Sequence, residues 1–191
     1  MVIGRLLILL IALTCASAAA QVVGAQPDPP TVTVCDLLSQ PLKYDGTFVR
    51  IQGRLTGTDE GTWFASDKCP SVFVTNKYRW PSVIWFSTPS MPNPNGQHAI
   101  DFQFDAESEA RVEAKYRALK PRVPPKCVIW TYMGLFETRR DWSEPRAIGV
   151  DGNPLGFGHQ GGAPGQLIAK KALNVAAVPG CTAKAGKKAK E

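Results

Sequence analysis

The sequence predicts a mainly β domain, built as a small five-stranded barrel with one helix between the third and fourth strands and a short helix at its start. Apolar and polar residues alternate over residues 47–55, which is typical of a strand with one buried face. Val49, Ile51 and Gly53 lie on the apolar side of that strand. An amphipathic helical pattern at residues 106–119 separates three strand-like segments from two later ones.

The predicted domain begins with the short helix. Leu37, Leu38 and Leu42 are spaced for one helical face. Pro41 limits how far this helix can run, because proline fits poorly inside a helix. Residues 45–46, an Asp-Gly pair, then mark a tight turn into the first long strand.

The next two strands are shorter. Residues 62–67 predict a second strand, and their separation from the first suits a hairpin. Residues 72–75 and 82–87 are two apolar runs, of which one is expected to be the third strand, because Pro81 argues against a continuous element. We interpret Trp85, in the second run, as a core or turn residue.

The second half supplies the helix and two further strands. Asp105 is placed to cap the helix at residues 106–119. Residues 127–136 are apolar on both sides and predict a strand buried on both faces. Residues 166–178 predict the last strand, after a glycine-rich loop at residues 151–165. This order of elements is that of an OB-like barrel.

The start of the chain predicts export. Arg5 precedes an apolar run at residues 6–13, and small residues at 16–20 fit a cleavage site, so residues 1–20 are expected to be a signal peptide. No long apolar run follows, so we expect no transmembrane segment in the mature chain, which would be periplasmic or secreted. Cys15 leaves open the alternative that the protein is a lipoprotein, acylated at that cysteine.

The mature chain is expected to have three parts. Residues 21–33 contain three prolines and predict a disordered leader, residues 34–180 form the OB-like domain, and residues 181–191 form a basic disordered tail. The signal peptide and the tail account for most of the formal net charge of +6. The basic composition therefore gives no evidence of a nucleic-acid-binding face.

The mature chain keeps four cysteines, namely Cys35, Cys69, Cys127 and Cys181. An even number in an exported chain favours two disulfides. Four cysteines allow three pairings, and we favour Cys35 with Cys69 and Cys127 with Cys181. Free buried thiols are the alternative.

Most of the mature chain resembles known proteins, and the resemblance is specific at its two ends. Residues 41–46 (PLKYDG), followed by residues 49–53 (VRIQG), look like the entry to strand one in many bacterial OB-fold domains. Residues 35–38 (CDLL), 156–159 (GFGH) and 163–167 (APGQL) are similar to a group of uncharacterised exported bacterial proteins. The resemblance implies an OB-like barrel and an exported location, and it implies no activity or catalytic residue.

The glycine-rich loop is the main candidate for a ligand site. It is expected to join strands four and five, where OB-like barrels often bind ligands. Gly158 and its neighbours would let backbone N–H groups approach a ligand, while His159 would donate a hydrogen bond and Phe157 would stack. In the alternative interpretation, the glycines only turn the chain and His159 ties the loop to the barrel.

Arginines near this loop extend the candidate site. Arg139 and Arg140 follow strand four, and Arg50 lies on the polar side of strand one beside Phe48. Arginines with aromatic rings can hold single-stranded nucleic acid or a sugar. An ordinary solvated face is the alternative for these residues.

Enzyme motifs are missing from the sequence. It contains no Gly-x-Ser-x-Gly, Walker or His-Glu-x-x-His motif, and no Cys-x-x-Cys pair for zinc. We therefore expect an exported non-catalytic binding domain without a cofactor or metal, whose unknown ligand is a protein or polymer of the envelope. The alternatives are an envelope-assembly protein that acts only through protein partners and a hydrolase that uses His159.

Overall fold

The computed structural model describes residues 27–66, 69, 73–93, 95–143, 148–149 and 152–181. The helices are α1 (Val34–Ser39), α2 (Pro41–Tyr44) and α3 (Ala106–Leu119). The strands are β1 (Thr31–Thr33), β2 (Thr47–Thr58), β3 (Gly61–Ala65), β4 (Val74–Thr75), β5 (Tyr78–Arg79), β6 (Val83–Ser87), β7 (Val128–Thr138) and β8 (Gly165–Ala177). The predicted signal peptide and the tail beyond Cys181 lie outside the described residues.

Five strands form a ring of hydrogen-bonded neighbours in one mixed sheet. The order is β2-β3-β6-β8-β7, and β7 pairs back to β2. Within the ring β6 and β8 are parallel, and the other neighbours are antiparallel. β1 adds to β2 as a parallel neighbour, and β4 pairs with β5 in a small separate hairpin. The chain is therefore mainly β, as the sequence predicted.

The core lies inside this ring. Val49, Ile51 and Gly53 of β2 are buried, as their alternation predicted. The ring of Phe64 on β3 meets those of Phe86 on β6 and Tyr132 on β7 edge to face, with ring centroids 6.0 and 5.9 Å apart. Edge-to-face contacts of this kind are favourable beyond the area they bury.

The long helix is the element that the sequence predicted best. The side chain of Asp105 accepts a hydrogen bond of 2.9 Å from the backbone N–H of Ser108, so Asp105 caps α3. The Ser108 hydroxyl accepts a hydrogen bond of 3.0 Å from the backbone N–H of Ala172 in β8. With Val112 also buried, α3 is fixed against β8.

The predicted N-terminal helix is two helices. α1 ends at Ser39 and α2 begins at Pro41, so the helical spacing does not continue past the proline. Leu37 and Leu38 are buried, but Leu42 is 60% exposed. The prediction that Leu42 shares their face is therefore wrong.

Several boundaries differ from the predicted ones. Residues 31–33, expected in the disordered leader, form β1 by pairing with residues 50–52 of β2. As predicted, one of the two apolar runs gives the third strand of the ring, β6, while residues 74–75 belong to the small hairpin. Cys127 lies in a 3₁₀ turn, and β7 runs on to Thr138 because its polar end is buried.

The predicted disulfide pairing is confirmed. Cys35 bonds to Cys69, which ties α1 to the segment after β3. Cys127 bonds to Cys181, which ties the start of β7 to the end of the described chain. These two bonds leave no described cysteine as a free thiol.

None of the described helices is both long and apolar enough to cross a membrane.

Candidate functional site

A pair of tryptophans on the outer face of the ring forms the floor of a groove. Trp63 of β3 lies opposite Trp85 of β6 in the strand register. Their neighbours Phe64 and Ile84 point into the core, so the two indoles point outward. The indole centroids are 5.8 Å apart and the ring planes differ by 20°, which gives a nearly flat aromatic surface. Both residues are partly exposed.

Two loops form the ends of this aromatic groove. Glu60 lies in the turn between β2 and β3, and His159 lies in the loop before β8. The His159 Nε2 is 3.7 Å from a Glu60 carboxylate oxygen, and the two side chains are 43% and 63% exposed. The cavity volume is about 510 Å³. It is lined by Glu60, Trp63, Tyr78, Pro81, Val83, Trp85, His159, Gln160, Gly162 and Ala163.

The His159 loop holds its shape through its own backbone. Phe157 and Ala163 exchange two backbone hydrogen bonds, of 2.7 and 3.1 Å. Gly158 and Gly161 have φ values of +77° and +65°, which glycine adopts without a steric penalty. The loop is therefore folded so that His159 lies at the surface.

Phe157 does not have the role that the sequence predicted. Its side chain is fully buried, so its ring cannot stack on an outside ligand. Arg139 lies over this ring, with its guanidinium carbon 5.8 Å from the ring centroid. Arg139 is itself only 4% exposed, and its Nε donates a 2.8 Å hydrogen bond to the Leu155 carbonyl. Phe157 and Arg139 therefore support the loop from inside.

The other two predicted arginines lie away from the aromatic groove. The Arg140 Nε donates to the Asp45 carboxylate at 2.8 Å. The Arg50 Nη2 is 2.8 Å from Asp28, whose side chain is 86% exposed. Neither arginine lines the groove. Of the six predicted site residues, His159 lines the groove and Gly158 packs beneath it against Trp85.

The sequence interpretation missed most of the groove. Trp85 is not a core residue, because its pairing opposite Trp63 places it on the outer face. Glu60 and Tyr78 were not predicted as site residues. The sequence did contain one signal for the groove, because Trp63 alternates with the buried Phe64 and so lies on the opposite face of its strand. Only the strand register shows that Trp85 lies beside Trp63.

The charge of the groove differs from that of the whole chain. Glu60 is its one acidic side chain and His159 its one imidazole, and the described lining includes no lysine or arginine. The groove thus offers flat apolar faces with hydrogen-bonding groups at its ends. Phosphate polymers are held mainly by lysine and arginine, so this lining does not suit them.

A buried polar cluster beside the ring is structural. The Asp45 side chain is 2% exposed and accepts hydrogen bonds from Arg140 Nε, His98 Nε2 and the Thr138 backbone at 2.8, 3.0 and 3.2 Å. Burial raises the pKa of Asp45, but the hydrogen bonds from Arg140, His98 and Thr138 outweigh it, so the pKa lies below its usual value. The cluster fixes the turn before β2 to the end of β7.

A second buried carboxylate anchors the loop after β6. Glu137 is fully buried and accepts the backbone N–H groups of Gln97 and His98 at 3.2 and 2.8 Å. The side-chain amides of Asn93 and Gln166 also donate to it. Because all of these donors come from the fold itself, Glu137 is engaged in holding the loop.

Two observations in the part of the chain that the structure describes concern metal and catalytic chemistry. No group of three or more His, Cys, Asp or Glu side chains in the described residues could hold a metal ion. His159 has Glu60 as a neighbour, but both side chains are largely exposed. An exposed pair of this kind contributes little stability.

Comparison of the chain with protein-family models, with curated proteins and with solved structures finds no match.

Proposed function

We propose that the protein is a non-catalytic binding domain that holds a neutral polysaccharide in the aromatic groove. The observation that supports this most directly is the flat outward pair of Trp63 and Trp85. The C–H groups on one face of a pyranose ring carry slight positive charge, and they pack on the negative face of an indole. Glu60 and His159 at the ends of the groove offer acceptor and donor groups to sugar hydroxyls.

The arrangement of strands supports an OB-like barrel as the fold. Numbered within the ring, the strand order is one, two, three, five, four, and α3 lies between the third and fourth strands. In OB-like barrels the ligand lies on strands two and three, between the loop joining strands one and two and the loop joining strands four and five. In this numbering Trp63 and Trp85 lie on strands two and three, Glu60 lies in the loop between strands one and two, and His159 lies in the loop between strands four and five.

The chemistry of the groove favours a sugar over a nucleic acid. Both can stack on tryptophan, but a nucleic acid also brings one phosphate per nucleotide. Glu60 would repel these phosphates, and lysine and arginine are missing from the described lining. A neutral glycan has no phosphate for Glu60 to repel, and its hydroxyl groups can donate hydrogen bonds to the Glu60 carboxylate.

The proposed compartment is the periplasm or the medium outside the cell. Two disulfides are typical of proteins that fold in an oxidising compartment. The signal peptide predicted at residues 1–20 agrees with that location. A polysaccharide of the envelope would be available to the protein there.

A binding titration of the oxidised protein tests this function. Soluble neutral glycans are added while intrinsic tryptophan fluorescence is followed, with single-stranded DNA at low salt as the comparison ligand. We expect saturable binding of a glycan and none of DNA. Replacing Trp63 with Ala should weaken glycan binding by at least about fivefold, since a lost stacking contact costs about 1 kcal/mol or more.

The matched control for Trp63→Ala is Phe102→Ala. Phe102 is also partly exposed and packs edge to face on Phe48, away from the aromatic groove. We expect it to bind the glycan normally. Binding of DNA that depends on Trp63 would contradict the proposal, and binding of an envelope protein without any glycan would favour the partner-only alternative.

A further inference from the structure

A second groove lies between α2, the start of the β4–β5 hairpin and the segment after β7. Its volume is about 490 Å³. Leu42, Phe73 and Trp142 form its apolar floor, and Lys43 and Arg140 lie at its rim. We infer that this basic-rimmed groove binds a single-chain amphiphile with a carboxylate head, such as a free fatty acid. It shares no lining residue with the aromatic groove, so the inference does not depend on the proposed function.

The apolar floor exists because of the break between α1 and α2. Pro41 starts a new helix after Ser39, and this turns Leu42 away from the core. Leu42 is 60% exposed, the largest exposure among the large apolar side chains that the structure describes. Beside it Phe73 and Trp142 are only partly buried, with ring centroids 6.1 Å apart. An alkyl chain in this place would remove apolar surface from water.

The charge at the rim selects the head group. Asp45 is buried and holds Arg140 through the Nε atom, while the Arg140 side chain remains 71% exposed. The outer nitrogens of this guanidinium are left to bind a carboxylate in the bidentate geometry that arginine favours. Lys43 adds a positive charge beyond the Arg140–Asp45 ion pair, and no acidic residue is among the described residues that line the groove. An anionic head therefore complements the rim.

Two of the polar side chains that line the groove, Thr75 and Arg139, argue against a peptide as the occupant. The Thr75 hydroxyl already accepts a 2.7 Å hydrogen bond from Trp80 Nε1. The Arg139 Nε already donates to the Leu155 carbonyl. A peptide would lose hydrogen bonds to water along its backbone and find few replacements, which is costly. An alkyl chain has no such bonds to lose.

A chain-length series tests the inference on the full oxidised protein. Octanoate, decanoate and dodecanoate are titrated below their aggregation concentrations, with binding measured by calorimetry. We expect the affinity to rise with chain length, by up to about fourfold for each added methylene group. The fourfold limit corresponds to complete burial of that group. Decyltrimethylammonium, which has a cationic head on the same chain, should bind at least about fivefold more weakly than decanoate.

Two variants locate the binding. Leu42→Asp places a carboxylate on the floor, and Lys43→Glu reverses one charge at the rim. Each should weaken decanoate binding at least about fivefold. The matched controls are Leu173→Asp, at an exposed leucine on β8, and Lys120→Glu, at the end of α3, and both should bind decanoate like the native chain. Lys43 is exposed to solvent, so Lys43→Glu tests the rim even if Leu42→Asp alters the fold.

Four results would overturn the inference. The first is affinity that does not change with chain length, and the second is equal binding of decanoate and decyltrimethylammonium. The third is binding to anionic phospholipid vesicles without binding of monomeric decanoate, which would make Lys43 and Arg140 part of a membrane-contacting surface. Equal loss of binding in the variants and their controls would also reject the groove as the site.

Discussion

Gly158 packs directly against the indole of Trp85. A β-carbon on Gly158 would overlap the Cδ2 and Cε3 atoms of Trp85. Its φ of +77° and ψ of −164° fall in a region that is essentially restricted to glycine. This residue therefore allows the loop to approach the tryptophan, and the loop in turn carries His159 to the end of the aromatic groove.

Gly158→Ala should destabilise the protein by about 1–3 kcal/mol from the backbone conformation alone, with a further loss from the overlap with Trp85. Urea unfolding measures the change. Gly152→Ala is the control, because Gly152 also has a positive φ, of +78°, but has nothing within 4 Å of the added carbon. Equal losses of stability in the two variants would mean that the contact with Trp85 is not important.

His159→Ala should weaken glycan binding while leaving stability nearly unchanged. The His159 side chain is 43% exposed and its neighbour Glu60 is still more exposed, so its removal should change the free energy of unfolding by less than about 0.5 kcal/mol. Fluorescence titration and thermal unfolding on the same sample separate the two effects. A large loss of stability with unchanged binding would assign His159 a structural role.

The sequence predicted elements defined by local interactions better than elements defined by contacts between residues distant in sequence. α3 was predicted with its bounds, because the cap at Asp105 and the helical spacing are local signals. β1 was missed because a three-residue strand is defined by its parallel partner in β2, which is distant in sequence. Leu42 is an exception, because its predicted position was wrong for a local reason. A new helix begins at Pro41 and turns Leu42 away from the core.

The candidate site was predictable only in part for the same reason. His159 and Gly158 stand out in sequence, because a glycine-rich loop with one histidine is unusual. Trp85 does not stand out, since β6 is apolar on both faces and its outward face is decided by pairing with β3. Phe157 was predicted to stack on a ligand, but its side chain is buried, with Arg139 from the segment just after β7 lying over its ring.

Asp45→Asn should destabilise the protein at neutral pH by roughly 1–3 kcal/mol, because buried donors lose a charged acceptor. The pKa of Asp45 in the folded state lies below its ordinary value of 3.8. The native stabilisation is therefore complete above that value and is lost as the pH falls through the folded pKa. Urea unfolding of both proteins from pH 7 down to pH 2 should show the difference shrinking toward the acid end.

Asp28→Asn provides the control for Asp45. Asp28 also pairs with an arginine, Arg50, but its side chain is 86% exposed. Its replacement should cost no more than about 1 kcal/mol. A pH-independent difference between Asp45→Asn and the native chain would contradict the role assigned to the Asp45 carboxylate.

Removal of either disulfide should cost about 2–5 kcal/mol, with both cysteines of a pair replaced by serine. The sequence separations are 34 residues for Cys35–Cys69 and 54 for Cys127–Cys181. The longer loop should make the second loss larger by about 0.4 kcal/mol, if loop entropy alone decides it. Urea unfolding gives both values, and an unchanged midpoint in either double variant would show that its bond does not stabilise the domain.

The most direct test of the aromatic groove is a nuclear magnetic resonance titration that follows the five indole N–H signals. Each signal is assigned by a single Trp→Phe variant. A neutral glycan that binds should shift the signals of Trp63 and Trp85 and leave Trp130 unchanged, because Trp130 is buried against Tyr116. Saturable glycan binding that leaves both Trp63 and Trp85 unshifted would contradict the account.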